Sequence, residues 1–192
     1  MRSLFLWGGK LKNRSTWVQF KNCYAFVSII NFLRQQDRLK DHYMKSGKII
    51  NEDSDIKDIL ENAKTIAILG LSPESEKESN NVARYLKDQG YSIIPVRPGQ
   101  EEILGQKVYA TLDDIKEHVD IVDVFRNPEK VLPHAHEAIR MQPKVFWMQL
   151  GIENQKAASL LVKAGIDVVM NKCIKIEHDR LCKKNILSTK TS

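Results

Sequence analysis

"TIAILGLSPESEKESNNVARYL" occupies residues 65–86 and decides the fold. Its first six residues are a continuous apolar run that ends in Gly70, which is typical of a buried strand in a parallel sheet. A polar loop follows, and an amphipathic helix is predicted to begin at Ser79, with that serine as its cap. The order indicates a nucleotide-binding fold, although this stretch has one glycine where the dinucleotide fingerprint has three.

The same alternation of strand and helix continues along the chain. Apolar runs predict further strands at 91–96, 119–125, 144–150 and 166–170. Helical patterns are found at 51–63, 79–90, 110–118, 127–141 and 153–165, and a last helical stretch follows the fifth strand. Short connections in such an alternation indicate βαβ units with helices on both faces of the sheet. We therefore predict an α/β, Rossmann-like, doubly wound parallel sheet of five strands in the order 3-2-1-4-5.

The first 43 residues differ in composition from the rest. They hold eight basic and two acidic residues, whereas residues 44–192 hold 22 of each, so the net charge of +6 belongs to this segment alone. The charge therefore gives no argument for nucleic-acid binding by the main domain. We divide the chain into a basic N-terminal extension, 1–43, and a domain, 44–192. We hypothesise that translation starts at Met44; a genuine extension and a transit peptide are the alternatives.

The cysteines and the apolar runs indicate the cellular setting. Cys23, Cys173 and Cys182 are scattered and form no CxxC pair, so neither a disulfide framework nor a zinc site is predicted. No apolar run approaches the roughly 18 residues that a membrane span needs. We expect a cytoplasmic protein that contacts no membrane and no nucleic acid. Whether it forms a homodimer is left open by the sequence.

In a doubly wound sheet, ligands bind beyond the carboxyl ends of the strands. The residues predicted at that edge are Gly70, Leu71, Ser72, Arg97, Pro98, Phe125, Arg126, Gln149, Gly151 and Cys173, with Lys77 in the long first loop. Two helix N-termini add partial positive charge. This set suits a phosphorylated ligand with a flat ring.

Catalytic and metal-binding groups are not predicted at this edge. Asp120 and Asp123 lie before and within a strand, and we interpret them as serving packing or a local turn. His134 and His136 are two residues apart on a helix, so they face different directions. The sequence therefore predicts a binding site with neither a catalytic residue nor a metal.

Arg97 narrows the choice of ligand. An acidic residue at the end of the second strand would hold the ribose hydroxyl of NAD, but Arg97 occupies that place. A cation there fits a phosphate on the ribose, which both NADP and coenzyme A carry. An NADP-dependent oxidoreductase would also need a proton donor, such as a Tyr–Lys pair facing the nicotinamide, and we find none.

Several motifs together resemble a known family. "AILGLSP" (67–73), "VDVFR" (122–126), "WMQLGI" (147–152) and "CIKIEH" (173–178) resemble the stand-alone CoA-binding-domain proteins. These are similar to the CoA-binding domain of the succinyl-CoA synthetase α subunit. The likeness extends from Ile56 to Leu181 and leaves out residues 1–43.

The resemblance implies that CoA, or a short acyl-CoA, binds at the carboxyl edge. Gly70, Leu71 and Ser72 would meet its phosphates, and Arg97 and Pro98 would lie beside the adenosine, near the 3′-phosphate. By the same resemblance, the remaining site residues would follow the pantetheine arm: Phe125, Arg126, Gln149, Gly151 and Cys173.

Ligase activity is not implied, because the sequence shows neither the synthetase domain with the phosphorylated histidine nor its grasp-type partner. We expect a CoA-binding protein without catalytic machinery of its own. The alternatives are the NADP-dependent oxidoreductase and a CoA-linked redox or regulatory protein that uses Cys173.

Overall fold

A computed structural model describes residues 46–183, so the expected extension 1–43 lies outside the described residues. The described chain forms five helices and seven strands. Their order is α1 (Asp53–Asn62), β1 (Thr65–Leu69), α2 (Glu78–Asp88), β2 (Ser92–Val96), β3 (Glu102–Ile103), β4 (Gln106–Lys107), β5 (Ile121–Val124), α3 (Val131–Met141), β6 (Val145–Met148), α4 (Gln155–Lys163), β7 (Asp167–Val169) and α5 (Ile174–Leu181).

Five strands form one parallel sheet in the order β2-β1-β5-β6-β7. The sheet separates two apolar clusters, because successive side chains of a strand point to opposite faces. One cluster joins the strands to the buried faces of α3 and α4. The other joins them to α1, α2 and α5. The predicted Rossmann-like α/β class is confirmed.

The predicted strand order is wrong. Counted along the chain, the five strands lie in the order 2-1-3-4-5, because β5 pairs with β1 instead of lying outside β2. Pro95 gives the physical reason, since proline has no N–H for a second neighbour and is confined to edge strands. Its carbonyl accepts from the N–H of Tyr109 on the side of β2 that faces away from β1. The pattern "SIIPV" therefore marks an edge strand.

The connection between β2 and β5 also differs from the prediction. The helix expected at 110–118 is a single 3-10 turn, Leu112–Asp114, closed by Thr111, whose N–H and hydroxyl both donate to the Asp114 carboxylate. Before it lies the small antiparallel hairpin β3–β4, which the sequence reading did not predict. No helix among residues 46–183 is long and apolar enough to cross a membrane.

Asp120 ties together the amino ends of three strands. Its carboxylate accepts from the backbone N–H groups of Lys64 and Thr65, at 2.8 and 3.1 Å, and lies 2.8 Å from Lys144 Nζ. Burial opposes ionisation, but the hydrogen bonds from Lys144 and the two N–H groups outweigh it and lower the pKa of Asp120 to about 2. The interpretation of Asp120 as a structural residue agrees with this position.

We expect Asp120→Asn to destabilise the protein by about 2 kcal/mol at pH 7. A carboxylate with a lowered folded-state pKa stabilises the fold above its unfolded pKa, and this contribution disappears as the pH falls through the folded value. The gap between wild type and variant should therefore close between about pH 4 and pH 2. Urea unfolding across this range measures it. Asp58→Asn, on the exposed side of α1, is the control and should change little. A gap that stays constant with pH would contradict the assignment.

Candidate functional site

The carboxyl rim, meaning the edge formed by the carboxyl ends of the parallel strands, centres on Gly70. Its N–H donates to the carbonyl of Val96 at 2.8 Å, and Phe125 donates to the carbonyl of Leu69 at 2.9 Å. Gly70 has φ +89°, and a Cβ there would lie 2.5 Å from the carbonyl oxygen of Phe125. Glycine is therefore required where the ends of β1, β2 and β5 meet.

Two arginines flank this glycine turn from the neighbouring strands. Arg97, after β2, donates from Nη1 to the carbonyl of Leu71 at 3.3 Å. Arg126, after β5, lies against Gly70, because its Cδ is 3.4 Å from the place of the missing Cβ. Its Nε is buried and has no hydrogen-bond partner among the described residues. An uncompensated buried N–H is costly, and an oxyanion of a ligand would supply the missing acceptor.

The first loop, residues 71–77, is fastened to the start of α2. The N–H of Ser72 donates to Ser79 Oγ at 3.0 Å, and Asn80 Nδ2 donates to the carbonyl of Ser72 at 2.8 Å. The helix begins at Glu78 with Lys77 as its N-cap, so the prediction of Ser79 as the cap is wrong. Ser79 binds back to the loop instead. The N–H of Asn80 donates to the Lys77 carbonyl at 3.0 Å, and no side chain caps α2, so the N–H groups of Glu78 and Ser79 are left for water or a ligand.

Three residues of the predicted site have side chains that are engaged elsewhere. The Leu71 side chain is fully buried in the core, so this residue faces the rim with its backbone alone. The exposed Lys77 lies 3.7 Å from Glu74, one of the acids that surround it in the loop. Gln149 is buried, and its Nε2 donates to both carboxylate oxygens of Asp123, at 2.9 and 3.0 Å.

The other half of the rim, beyond β6 and β7, is partly apolar, with half-buried Lys172 following β7. Leu150 is 65% exposed beside Gly151, whose N–H donates to Asn171 Oδ1 at 2.7 Å. Cys173 is half-buried and stands at the N-cap of α5. Together with half-buried Phe125, these residues continue the rim away from the arginines. The sheet order thus gives the rim a cationic end with two arginines at β2-β1-β5 and a partly apolar end at β6-β7.

Asp123 lies directly beneath this rim and is completely buried. Burial raises the pKa of its carboxyl to about 8, against the opposing hydrogen bonds from Gln149 and from the N–H of Val124. The sequence reading assigned Asp123 to packing or a turn. It missed the pairing with Gln149 because the predicted strand order did not place their strands side by side.

The sequence analysis did not identify two buried polar residues, Asn80 and His178. Asn80 is 2% exposed, and its Oδ1 has no hydrogen-bond partner among residues 46–183. His178 is buried, with Nδ1 3.0 Å from Tyr85 Oη and its ring edge-to-face with Tyr91. Burial lowers the pKa of His178. The aromatic residues that cover it are distant in sequence, so the local pattern could not indicate its burial.

The two histidines of helix α3 lie in different surroundings. His136 is exposed, whereas half-buried His134 lies 3.2 Å from Glu137. Within residues 46–183, no group of three His, Cys, Asp or Glu side chains could hold a metal ion.

Comparisons with known proteins give a consistent result. Residues 64–179 match the family model described as CoA binding domain. The chain is 40% identical to the uncharacterised protein YneT of Bacillus subtilis over 65% of this chain and 93% of that protein. A hypothetical protein of Pyrococcus horikoshii of known structure is 38% identical, with a TM-score of 0.67 over 69% of this chain and 94% of that one. The ADP-forming acetate–CoA ligase I of Archaeoglobus fulgidus is 27% identical over 58% of this chain but only 18% of its own length.

We expect Gly70→Ala to destabilise the protein by at least about 2 kcal/mol, because the added methyl group meets the Phe125 carbonyl and the positive φ is strained. Denaturant unfolding provides the measurement. The matched control is Gly90→Ala, which shares a positive φ of +95° but has no atom within 4 Å of the new Cβ. Equal losses in the two variants would show that the close approach at Gly70 carries no cost of its own.

Proposed function

Because the chain belongs to the CoA-binding domain family, we propose that its carboxyl rim binds coenzyme A or a short acyl-CoA. The observation that carries this proposal is the pair of arginines on either side of Gly70, one of them with a buried nitrogen that lacks an acceptor among the described residues. Binding is the proposed function, and no chemistry is assigned to the protein itself.

The cationic end of the rim fits the nucleotide part of CoA. In our proposal, the diphosphate lies against the backbone of Gly70, Leu71 and Ser72, at the uncapped N-terminus of α2, with Arg126 as its cation. Arg97 then meets the 3′-phosphate, because its guanidinium uses one N–H for the Leu71 carbonyl and has further donors for an anion. The exposed Pro98 lies next to it, on the adenosine side.

The partly apolar end of the rim fits the pantetheine arm. We place the arm across Phe125 and along Leu150 and Gly151 towards β7, where Cys173 begins α5. In this placement the methyl groups of the arm meet the apolar side chains of Phe125 and Leu150. The thiol, or its acyl group, would end near Cys173.

Ligand stabilisation tests the proposal. CoA should raise the free energy of unfolding by about 2.7 kcal/mol when it is present at a hundredfold excess over its dissociation constant. NAD should have no effect, because Arg97 stands where an acid would hold its ribose. Thermal unfolding with CoA, dephospho-CoA, NADP and NAD at equal concentrations gives the comparison. Equal stabilisation by CoA and NAD would contradict the proposal, and stabilisation by NADP alone would support the oxidoreductase alternative.

We expect Arg97→Ala to weaken CoA binding and to leave the binding of dephospho-CoA, which lacks the 3′-phosphate, almost unchanged. A charge-assisted contact to a phosphate contributes about 1.5–3 kcal/mol, which is roughly a tenfold to 150-fold change in dissociation constant. Calorimetric titration of both ligands measures the difference. Lys57→Ala on the exposed side of α1 is the control for net charge. An equal loss for both ligands would show that Arg97 does not read the 3′-phosphate.

The position of Cys173 favours a redox protein as the second candidate function. Its sulfur can attack CoA disulfide as a thiolate, so that a protein–CoA mixed disulfide forms and one CoA thiolate leaves. Cys182 serves as the internal control, because it lines a cleft at the opposite edge of the sheet and burial raises its pKa.

We expect CoA disulfide to add one CoA to the protein, Cys173→Ser to abolish the adduct, and Cys182→Ser to retain it. Intact-mass measurement before and after reduction shows the adduct. An adduct on Cys182 alone, or none, would leave plain CoA binding as the function.

A further inference from the structure

Asp123 and Gln149 form a buried polar pair within the apolar core. Asp123 belongs to β5, with Ile68 and Trp147 as its cross-strand neighbours in β1 and β6. Its hydrogen-bond donors among the described residues are Gln149 Nε2 and the N–H of Val124. A fully buried carboxyl without a cation is costly to the fold, so the pair needs an explanation beyond packing.

The orientation of the Gln149 amide depends on whether the Asp123 carboxyl carries a proton. Nε2 donates to both carboxylate oxygens, an arrangement that suits ionised Asp123 because that form only accepts. The carbonyl oxygen Oε1 is then the end of the Gln149 amide left for another partner. A protonated Asp123 would instead need an acceptor for its O–H, which the same amide supplies when it turns by about 180°. The free end of the amide is therefore an acceptor in one state and a donor in the other.

We propose that Asp123 is a positioning residue that aims Gln149 Oε1 at an amide N–H of the pantetheine arm, and that binding of this arm releases the Asp123 proton to solvent. This inference rests on the proposed function. Gln149 follows β6, between the arginines and Cys173, where the arm crosses the rim. The arm has two secondary amide N–H groups, which are the class of donor that a carbonyl oxygen accepts.

The burial of Asp123 is consistent with the release of its proton when the pantetheine arm binds. Burial favours the protonated carboxyl before the arm binds, since it raises the pKa to about 8, and we assign the orientation with Nε2 on both carboxylate oxygens to the state that the bound arm selects. A ligand N–H that bonds to Oε1 favours the ionised form and lowers that pKa. The titratable groups on the elements around this face are Tyr85, Arg126, Cys173, Glu177 and His178, and none of them contributes to the raised pKa.

The experiment is calorimetric titration at pH 7 in two buffers of different ionisation enthalpy, which counts the protons released on binding. The ligands are CoA and adenosine 3′-phosphate 5′-diphosphate, which keeps all three phosphates of CoA and lacks the pantetheine arm. For the wild type, CoA should release most of one proton more than the fragment. In Asp123→Asn this excess should disappear, because the substituted amide carries no proton that titrates in this range. Gln149→Met should weaken CoA about threefold to tenfold and leave the fragment unaffected.

Two outcomes of the titration distinguish a failure of this inference from a failure of the proposed function. If CoA does not bind the wild type, the proposed function fails. If CoA binds with no excess proton, or Asp123→Asn releases the same number of protons, the positioning role is overturned and CoA binding stands. Should a variant fail to fold, the wild type decides alone: its affinity for CoA must rise between pH 6 and pH 8 relative to that for the fragment, and parallel profiles contradict the inference.

Discussion

The close approach of Gly70 to the carbonyl of Phe125 is the constraint on which the rim depends. The residue after β1 must pass the end of β5 with no side chain between them, and the N–H of the same glycine holds the end of β2. Three strand ends are thereby brought together, and the residues that follow β2 and β5 include two arginines. Gly70 thus does more than permit a turn. Its close approach to β5 brings Arg97 and Arg126, which follow different strands, to the same loop.

Local patterns predicted the class of this fold well, because the strands of a covered parallel sheet are apolar runs and its helices are amphipathic. The order of the strands depends on contacts far apart in the chain, and there the prediction failed. The sequence did contain the decisive signal in Pro95, which cannot serve a strand paired on both sides. The prediction that the residues after the strands lie at one edge does not depend on this order, because every parallel strand ends at the same edge whatever its neighbours are.

The contact between Asp123 and Gln149, in contrast, could not be predicted from the wrong strand order. With the predicted order, β5 and β6 would not be neighbours, and Asp123 and Gln149 would lie on separate strands of the sheet. Their contact follows from the β1-β5-β6 order, which also makes Trp147 the neighbour of Asp123. Which residues lie at the carboxyl rim can thus be predicted from the strand ends, whereas the pairing of a buried carboxyl and amide needs the topology. His178 shows the same limit, since the tyrosines that bury it lie in distant parts of the sequence.

Asp120 and Asp123 lie three residues apart, yet their surroundings shift their pKa values in opposite directions. Asp120, at the amino edge, has Lys144 and two backbone N–H groups as partners, and its pKa falls to about 2. Asp123, further along at the opposite end of β5, has one amide side chain and one N–H, and its pKa rises to about 8. The first carboxylate stabilises the fold by being charged. Burial favours the protonated form of the second, and a ligand that favours its charged form would act through the amide of Gln149, the one side chain that donates to it among the described residues.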